Sequence, residues 1–461
     1  HRKQLKKESV DLALAHYDNF YSKVYQEQWQ SIRLGLLSPN KYAAIVNHFG
    51  DSEAVQIALR QAGAYDLQYI YEKNLRRILR QLEKKRFFAA RKAEKRRGDA
   101  EEGRAEMSSD DEHVHPSILE ASGATSDSEF ESINAFFTDS EGGGEDGGGF
   151  INEAQMDLNL NDYVPVSDLK YAEETVDDAD YFKFYDIHSE VPVTVVEQNV
   201  LRYPTNLSLF TFPRNNFSTF PSPKLRQTNL FDYYLIDAAS ALPALLLDIQ
   251  DGDYVADFCA APGGKSLLLY LMLKDCRFFL NEKSLSRFKR LQNVFASFVP
   301  RSSQANIEFC NCDANSLRIS KPNTFDRILV DAPCSNDRHS LYVNDNNIFA
   351  PKRINERIGL PSQQMDLLLS ALYAVRPGGT VVYSTCSLSP IQNDGVVHMA
   401  LQRLAQEGST STFSVVNLKE ALRPLRGVFA LNHSFKYGTQ VVPFLPSNFG
   451  PMYFAKLVRT A

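Results

Sequence analysis

Two cysteines and one glycine turn supply the residue types from which group-transfer chemistry can be built. Cys334 lies in the run Asp331-Ala-Pro-Cys-Ser335 and Cys386 in Ser384-Thr-Cys-Ser387. The turn reads Asp257-Phe-Cys-Ala-Ala-Pro-Gly-Gly-Lys-Ser266. Each segment stands where a buried strand should end. In an open α/β sheet the carboxyl ends of neighbouring strands face one crevice, so residues distant in sequence can meet there. Two thiols beside a cofactor turn point to covalent attack on a carbon that then accepts a group.

The glycine turn follows a strand and opens a helix, so its backbone can approach an anionic or polar ligand. A Walker loop needs a glycine five positions before Gly264, and that position is Cys259. A dinucleotide fingerprint is also absent, since only Gly263 and Gly264 are present. Glu282, at the end of the next strand, can accept hydrogen bonds from ribose hydroxyls. Asp313, after the third strand, is placed to meet an adenine. The remaining candidate is a nucleoside-bearing cofactor other than a dinucleotide, and S-adenosylmethionine suits it.

The elements that must position these residues follow a strand–helix rhythm. Strands are expected over 254–258, 277–280, 307–310, 327–330 and 380–384. Helices are expected over 266–274, 285–299, 362–375 and 390–406. This alternation predicts a Rossmann-like α/β domain with a mostly parallel sheet. The runs 439–444 and 452–458 are expected to close it as an antiparallel hairpin. The domain should span 191–461, with short β-rich runs at 207–212 and 217–220 before its first helix.

Upstream, residues 1–97 read as a basic helical region, with short helices over 41–49 and 54–61 and a highly basic arm over 71–97. That arm could grip RNA, but a solvated charged helix is slightly preferred. Residues 98–190 form an acidic insert, and its first part, 98–150, is low-complexity. So little apolar surface cannot offset the ordering entropy, so the insert should be largely disordered.

The net charge of −6 conceals this asymmetry: +10 over 1–97, −23 over 98–190 and +7 over 191–461. Basic folded surface suits a polyanionic partner, and charge alone fits simple solubility equally well. No apolar run approaches a membrane span. Six cysteines without framework spacing imply a reducing compartment and no disulfides. Neither Cys310-Asn-Cys312 nor His113-Val-His115 makes a metal site at zinc spacing. The chain begins at His1 rather than Met, so a targeting segment is expected to have preceded it.

Asp257-Phe-Cys-Ala-Ala-Pro-Gly-Gly-Lys265, Asp331-Ala-Pro-Cys334, Ser384-Thr-Cys-Ser387 and Tyr234-Leu-Ile-Asp-Ala-Ala-Ser240 together resemble the motifs of the Nop/Sun (NSUN) RNA cytosine-5 methyltransferases. Within that family the chain most resembles the metazoan branch that acts on mitochondrial ribosomal RNA. Asp337-Arg-His-Ser-Leu341, Asn346-Asn-Ile-Phe349, Ser31-Ile-Arg-Leu-Gly-Leu-Leu-Ser38 and Lys41-Tyr42 carry this likeness. It covers most of 10–70 and 200–461, and the acidic insert has no counterpart in it. Glu282 stands where relatives often carry Asp, and Ala314 where Gly is expected; both changes should be tolerated.

The resemblance implies S-adenosylmethionine as cofactor, held by Ala261, Pro262, Gly263, Gly264, Lys265, Glu282, Arg287, Asp313, Ala314 and Asp331. It makes Cys386 the nucleophile that adds to cytosine C6 and Cys334 the thiol that assists product release. Asp331 should hold the N3/N4 edge of the base. Lys265, or the start of the following helix, should lower the pKa of the attacking thiol. The target cytosine must be unpaired or flipped out. A second thiol at Cys386 favours RNA over DNA as substrate. Arg338, His339, Arg353 and Arg357 are expected to face RNA, the last two equally readable as a solvated face. Mitochondrial small-subunit rRNA, the mitochondrial matrix and a partner of the mitochondrial transcription-termination-factor type are likewise implied. The other reading is a ribosome-assembly scaffold in which binding outweighs methylation.

Overall fold

The computed structural model describes residues 8–105, 193–273 and 275–461. Helix α1 (Ser9–Tyr25) buries Tyr17, Tyr21 and Tyr25 at four-residue intervals along one face. After a 3-10 turn, α2 (Trp29–Leu36) continues the row with Trp29, Ile32 and Leu36. The side chains of α1 and α2 pack with Leu341, Ile348, Phe349, Leu360 and Leu388, which come from the second half of the chain. The N-terminal region is therefore built into the body.

The helix expected over 41–49 is instead strand β1 (Ala43–Val46), buried at all four positions. A four-residue apolar run fits either state, and tertiary pairing decides. Here β1 lies between β4 (Leu209–Thr211) and β5 (Tyr233–Ile236), antiparallel to both. Helix α3 (Ser52–Gln61), capped by the Asp51 carboxylate accepting from Ala54 N–H, leads to β2 (Tyr65–Asp66), which pairs with β4. This four-stranded sheet crosses the boundary expected between residues 97 and 191. Helix α4 (Leu67–Ala105) extends past 97, and 106–190 of the expected insert lies outside the described residues. Residues 217–220 form no strand; prolines at 213, 221 and 223 flank them, and Phe220 instead stacks against Phe212 at 4.6 Å.

The second sheet holds the chemistry. Its strands are β3 (Thr194–Glu197), β6 (Tyr254–Asp257), β7 (Arg277–Asn281), β8 (Ile307–Cys310), β9 (Phe325–Asp331), β10 (Val375–Thr385), β11 (Phe413–Asn417), β12 (Leu431–Asn432), β13 (Thr439–Val441) and β14 (Met452–Arg459). The order is β12-β13-β14-β10-β9-β6-β7-β8, with β11 on β14 and β3 on β11. The block β10-β9-β6-β7-β8 is parallel. Strands β13 and β14 form the expected antiparallel closure. Between β6 and β9 the direction of winding reverses, which opens a crevice beyond their carboxyl ends.

Helices cover both faces. On one lie α5 (Ala238–Leu246), α6 (Gly264–Met272) and α7 (Leu285–Phe298), which bury Leu242, Leu267, Leu268, Leu291 and Phe295. Short α8 (Leu317–Ser320), long α10 (Ile354–Ala374) and α11 (Val396–Gln406) cover the other with Leu368, Leu372, Val397 and Leu401. Strand side chains alternate between the two cores, Val255 and Val382 facing one, Ala256, Val381 and Tyr383 the other. Helix α10 starts earlier than expected and runs through Pro361. The first turn of the helix expected over 390–406 is a π-helical turn, Ile391–Gly395. Two short helices complete the set among the described residues: α9 (Asp337–Ser340) and α12 (Lys419–Leu422).

Candidate active site

Strand β6 ends on Asp257, whose buried carboxylate organises the glycine turn. Its Oδ1 accepts from the Cys259 N–H at 3.2 Å and its Oδ2 from Ser266 Oγ at 2.6 Å, bridging the two ends of the turn. Burial pushes Asp257 up to about 7, against the pull of the Ser266 bond. Gly263 caps α6 with φ +119°, where an added Cβ would stand 3.2 Å from Leu291 and Val294. A Cβ on Gly264 would stand 3.0 Å from the Tyr234 ring. The positive φ favours glycine at 263, and at both positions a Cβ would be tighter than ordinary contact. From α7, Arg287 Nη2 donates to the Ala261 carbonyl at 2.6 Å and clasps the turn.

The next two strand ends add acids. Glu282 follows β7 and is 3% exposed. Its Oε1 accepts from Ser284 N–H at 2.9 Å. Its Oε2 is buried without a hydrogen bond, although Arg287 Nη1 stands 3.4 Å away. A buried acceptor left open in this way suits a donor from outside the protein, such as a ribose hydroxyl. Asp313 follows β8; it accepts from Asn315 N–H at 3.1 Å and from Lys283 Nζ at 2.7 Å. The Lys283 bond holds its carboxyl below the usual range. Ala314 is buried beside it. The glycine turn, the open Glu282 oxygen and Asp313 fit an adenosine-bearing cofactor.

Strands β9 and β10 are parallel neighbours with Asp331 opposite Ser384, so the loops that follow them run side by side. This register brings Cys334 Sγ within 3.3 Å of Cys386 Sγ. Lys265 Nζ donates to Asp331 Oδ2 at 2.8 Å, and Ser384 Oγ donates to Oδ1 at 2.9 Å. Burial is the largest single influence on Lys265 and works against its charge, but Asp331, joined by Cys386 and Asp257, makes the net shift upward. The lowered thiol expected at Cys386 is not found. Its hydrogen bond with Cys334, then burial, push it well above the ordinary thiol value, with Lys265 opposing.

Residues that the sequence reading did not single out hold the two loops in place. The π-helical turn supplies Gln392, whose Oε1 accepts from Ser335 N–H at 3.0 Å, and Asn393, which accepts from Thr385 Oγ1 at 2.5 Å and donates to the Ser387 carbonyl at 3.0 Å. Asp337, fully buried, accepts from Tyr17 Oη at 3.2 Å, Tyr21 Oη at 2.6 Å and Leu388 N–H at 2.7 Å, and also from Ser335 Oγ. Burial raises its pKa while these bonds pull it down. The signal was present as hydroxyl-bearing residues at positions 17, 21 and 25 on a buried helical face.

Arg338, expected to face RNA, is turned into the fold. Its guanidinium donates to the carbonyls of Gly450, Gly35 and Ser38 at 2.8–2.9 Å and to Asn448 Oδ1 at 2.9 Å. Arg353 pairs with Glu356, and Arg357 lies over the Phe349 ring at 4.8 Å. Of the four, His339 is the one that is exposed.

Comparison with known proteins finds relatives along nearly the whole chain. A family model described as 16S rRNA methyltransferase RsmB/F matches residues 244–458. The 5-cytosine rRNA methyltransferase NSUN4 of Xenopus laevis is 34% identical over 97% of this chain and 90% of its own. NSUN4 of Mus musculus is 45% identical over 55% of this chain and 67% of its own. A mitochondrial tRNA (cytosine(34)-C(5))-methyltransferase of the same species is 36% identical over 58% and 74%.

Proposed function

The chain belongs to the NSUN family of S-adenosylmethionine-dependent RNA cytosine-5 methyltransferases, and from that premise we propose mitochondrial small-subunit rRNA as its substrate and Cys386 as its nucleophile. The rRNA assignment is supported by similarity over nearly the whole chain to a relative named for that substrate. The mitochondrial matrix as its site, and a partner of the mitochondrial transcription-termination-factor type, extend the same reading.

The observation that carries the mechanism is the pair of thiols 3.3 Å apart at the ends of adjacent strands. Cytosine C5 is a poor nucleophile in the intact ring. Addition of the Cys386 thiolate to C6 makes C5 enamine-like. Asp331, held by Lys265 and Ser384, is placed to stabilise the added state at the N3/N4 edge. Bound S-adenosylmethionine supplies an electrophilic methyl group. Once C5 carries that methyl, a neighbouring base takes its proton, for which the Cys334 thiolate is at hand, and the C6–S electron pair returns to Cys386 as that bond breaks and the ring double bond re-forms. Glu282, Arg287 and Asp313 would hold the nucleoside end of the cofactor, with the turn from Ala261 to Lys265 beside them.

The test is incubation with methyl-labelled S-adenosylmethionine and mitochondrial small-subunit rRNA, followed by digestion to nucleosides. Label is expected in 5-methylcytidine with the wild type and to be lost with Cys386→Ser. Full incorporation by the Cys386→Ser protein would sink the nucleophile assignment.

A further inference from the structure

Helix α4 has no part in the pocket chemistry. It runs 39 residues, from Leu67 to Ala105, which at ~1.5 Å per residue is on the order of 58 Å. Its root is fixed to the body. Leu67 and Tyr71 are buried, Tyr71 Oη accepts from the Leu201 N–H at 2.7 Å, and Asn74 Nδ2 donates to the Pro424 carbonyl at 2.8 Å. Leu75 packs on the main core. The exposed side of the helix is cationic. Residues 71–97 carry twelve Lys or Arg against three Asp or Glu.

The charges are ordered along the helix. Arg77, Arg80, Lys84, Phe87 and Arg91 follow at alternating spacings of three and four, so they form one line, and all five are exposed. Phe87 in this line and Phe88 beside it are each 64% exposed. A helix that docks in a protein groove presents a continuous apolar stripe. Here the apolar residues Leu75, Ile78, Leu79 and Leu82 are half-buried, and the outward line is four cations and one ring. Cations that neutralise phosphates, interleaved with rings that stack on bases, are the composition of a single-strand RNA surface.

We propose that α4 is an RNA-docking arm, in which Arg77, Arg80, Lys84 and Arg91 contact phosphates and Phe87 and Phe88 stack on unpaired bases outside the catalytic crevice. The proposal rests on the reading of the chain as an RNA methyltransferase. It assigns the arm to affinity and leaves the chemical step to the crevice.

The test uses the full chain and a fluorescein-labelled transcript of mitochondrial small-subunit rRNA, titrated at several salt concentrations with methyl transfer measured in parallel. The variant R77Q/R80Q/K84Q/R91Q keeps good helix formers, and circular dichroism checks that the helix persists. Its affinity is expected to fall about tenfold or more, and its log–log salt slope to flatten by roughly three. The turnover number at saturating RNA should not change. Phe87→Ala with Phe88→Ala should weaken binding with the slope intact. Equal affinity and slope in the quadruple variant overturn the proposal, whether the arm then holds a protein or the acidic segment that follows it. Salt-dependent binding without methyl transfer by the wild type counts against the proposed reaction and leaves the arm standing.

Discussion

The hydroxyl of Tyr21 donates to Asp337 Oδ2 across 2.6 Å, joining the N-terminal helix to the segment between the two thiol loops. The same carboxylate takes Tyr17 Oη, Ser335 Oγ and the Leu388 N–H, so one buried group ties α1 to the residue after Cys334 and to the second residue after Cys386. Asp337 acts as a positioning residue. Removing one donor to a buried carboxylate costs about 1–3 kcal/mol. Tyr21→Phe is therefore expected to lower stability by that amount and to reduce the turnover number several-fold, with cofactor affinity unchanged. Asp337→Asn, which keeps the shape, should lose more turnover than Tyr21→Phe. A Tyr21→Phe protein with wild-type melting temperature and turnover contradicts this role.

The Cys386 thiol is pushed up first by its hydrogen bond with Cys334 and pulled down by Lys265. Alkylation follows the thiolate fraction, so its rate rises with pH through the thiol pKa. Cys334→Ala removes the leading upward cause, and the rise at Cys386 should move to lower pH. Lys265→Met removes the opposing cation, and the rise should move to higher pH. Iodoacetamide labelling of residue 386, followed by mass spectrometry across a pH series, reads both. Shifts in the same direction for the two variants would show that the thiol is not governed by these neighbours. Cys334→Ala should also accumulate a covalent RNA adduct, visible as a protein band retarded on a denaturing gel.

Glu282 Oε2 is a buried acceptor at the crevice without a hydrogen bond. If a ribose hydroxyl completes it, Glu282→Gln weakens S-adenosylhomocysteine binding by roughly tenfold or more, because a hydrogen bond to a charged acceptor contributes ~1.5–3 kcal/mol. Calorimetry with the deoxyribose analogue provides the check. The wild type should lose affinity for that analogue, whereas Glu282→Gln should discriminate little between the two ligands. Equal discrimination by both proteins would remove Glu282 from the ribose contact.

The site was legible in sequence where chemistry is local. The Asp257 turn, Glu282 and Asp313 each end a short apolar strand, so spacing alone places them on one edge of the sheet. Contacts set by distant pairing were not legible. Ala43–Val46 became a strand because its partners come from Leu209–Thr211 and Tyr233–Ile236, far along the chain. The upward shift at Cys386 depends on the β9/β10 register, which brings the thiols closer than any spacing argument requires. The role of α1 was hidden because Asp337 shows itself as the acceptor of Tyr17 and Tyr21 only once the helix is docked.

Arg338 provides the sharpest separation of fold from RNA binding. A cation directly after a buried carboxylate invites assignment to phosphate, yet three carbonyls and Asn448 occupy its donors. Those acceptors come from α2, the turn after it and the segment before β14, so the guanidinium joins three distant parts of the chain. Arg338→Ala removes the donor to the Gly450 carbonyl and Asn448 Oδ1, while the Gly35 and Ser38 carbonyls keep Asn448 Nδ2, and should cost roughly 2–4 kcal/mol. Arg338→Lys cannot reproduce the planar fork and should recover only part of that loss. Neither should flatten the salt dependence of RNA binding, measured at a temperature where the variant stays folded. A flattened slope with an unchanged melting temperature would return Arg338 to the RNA interface and show that the guanidinium turns outward when substrate arrives.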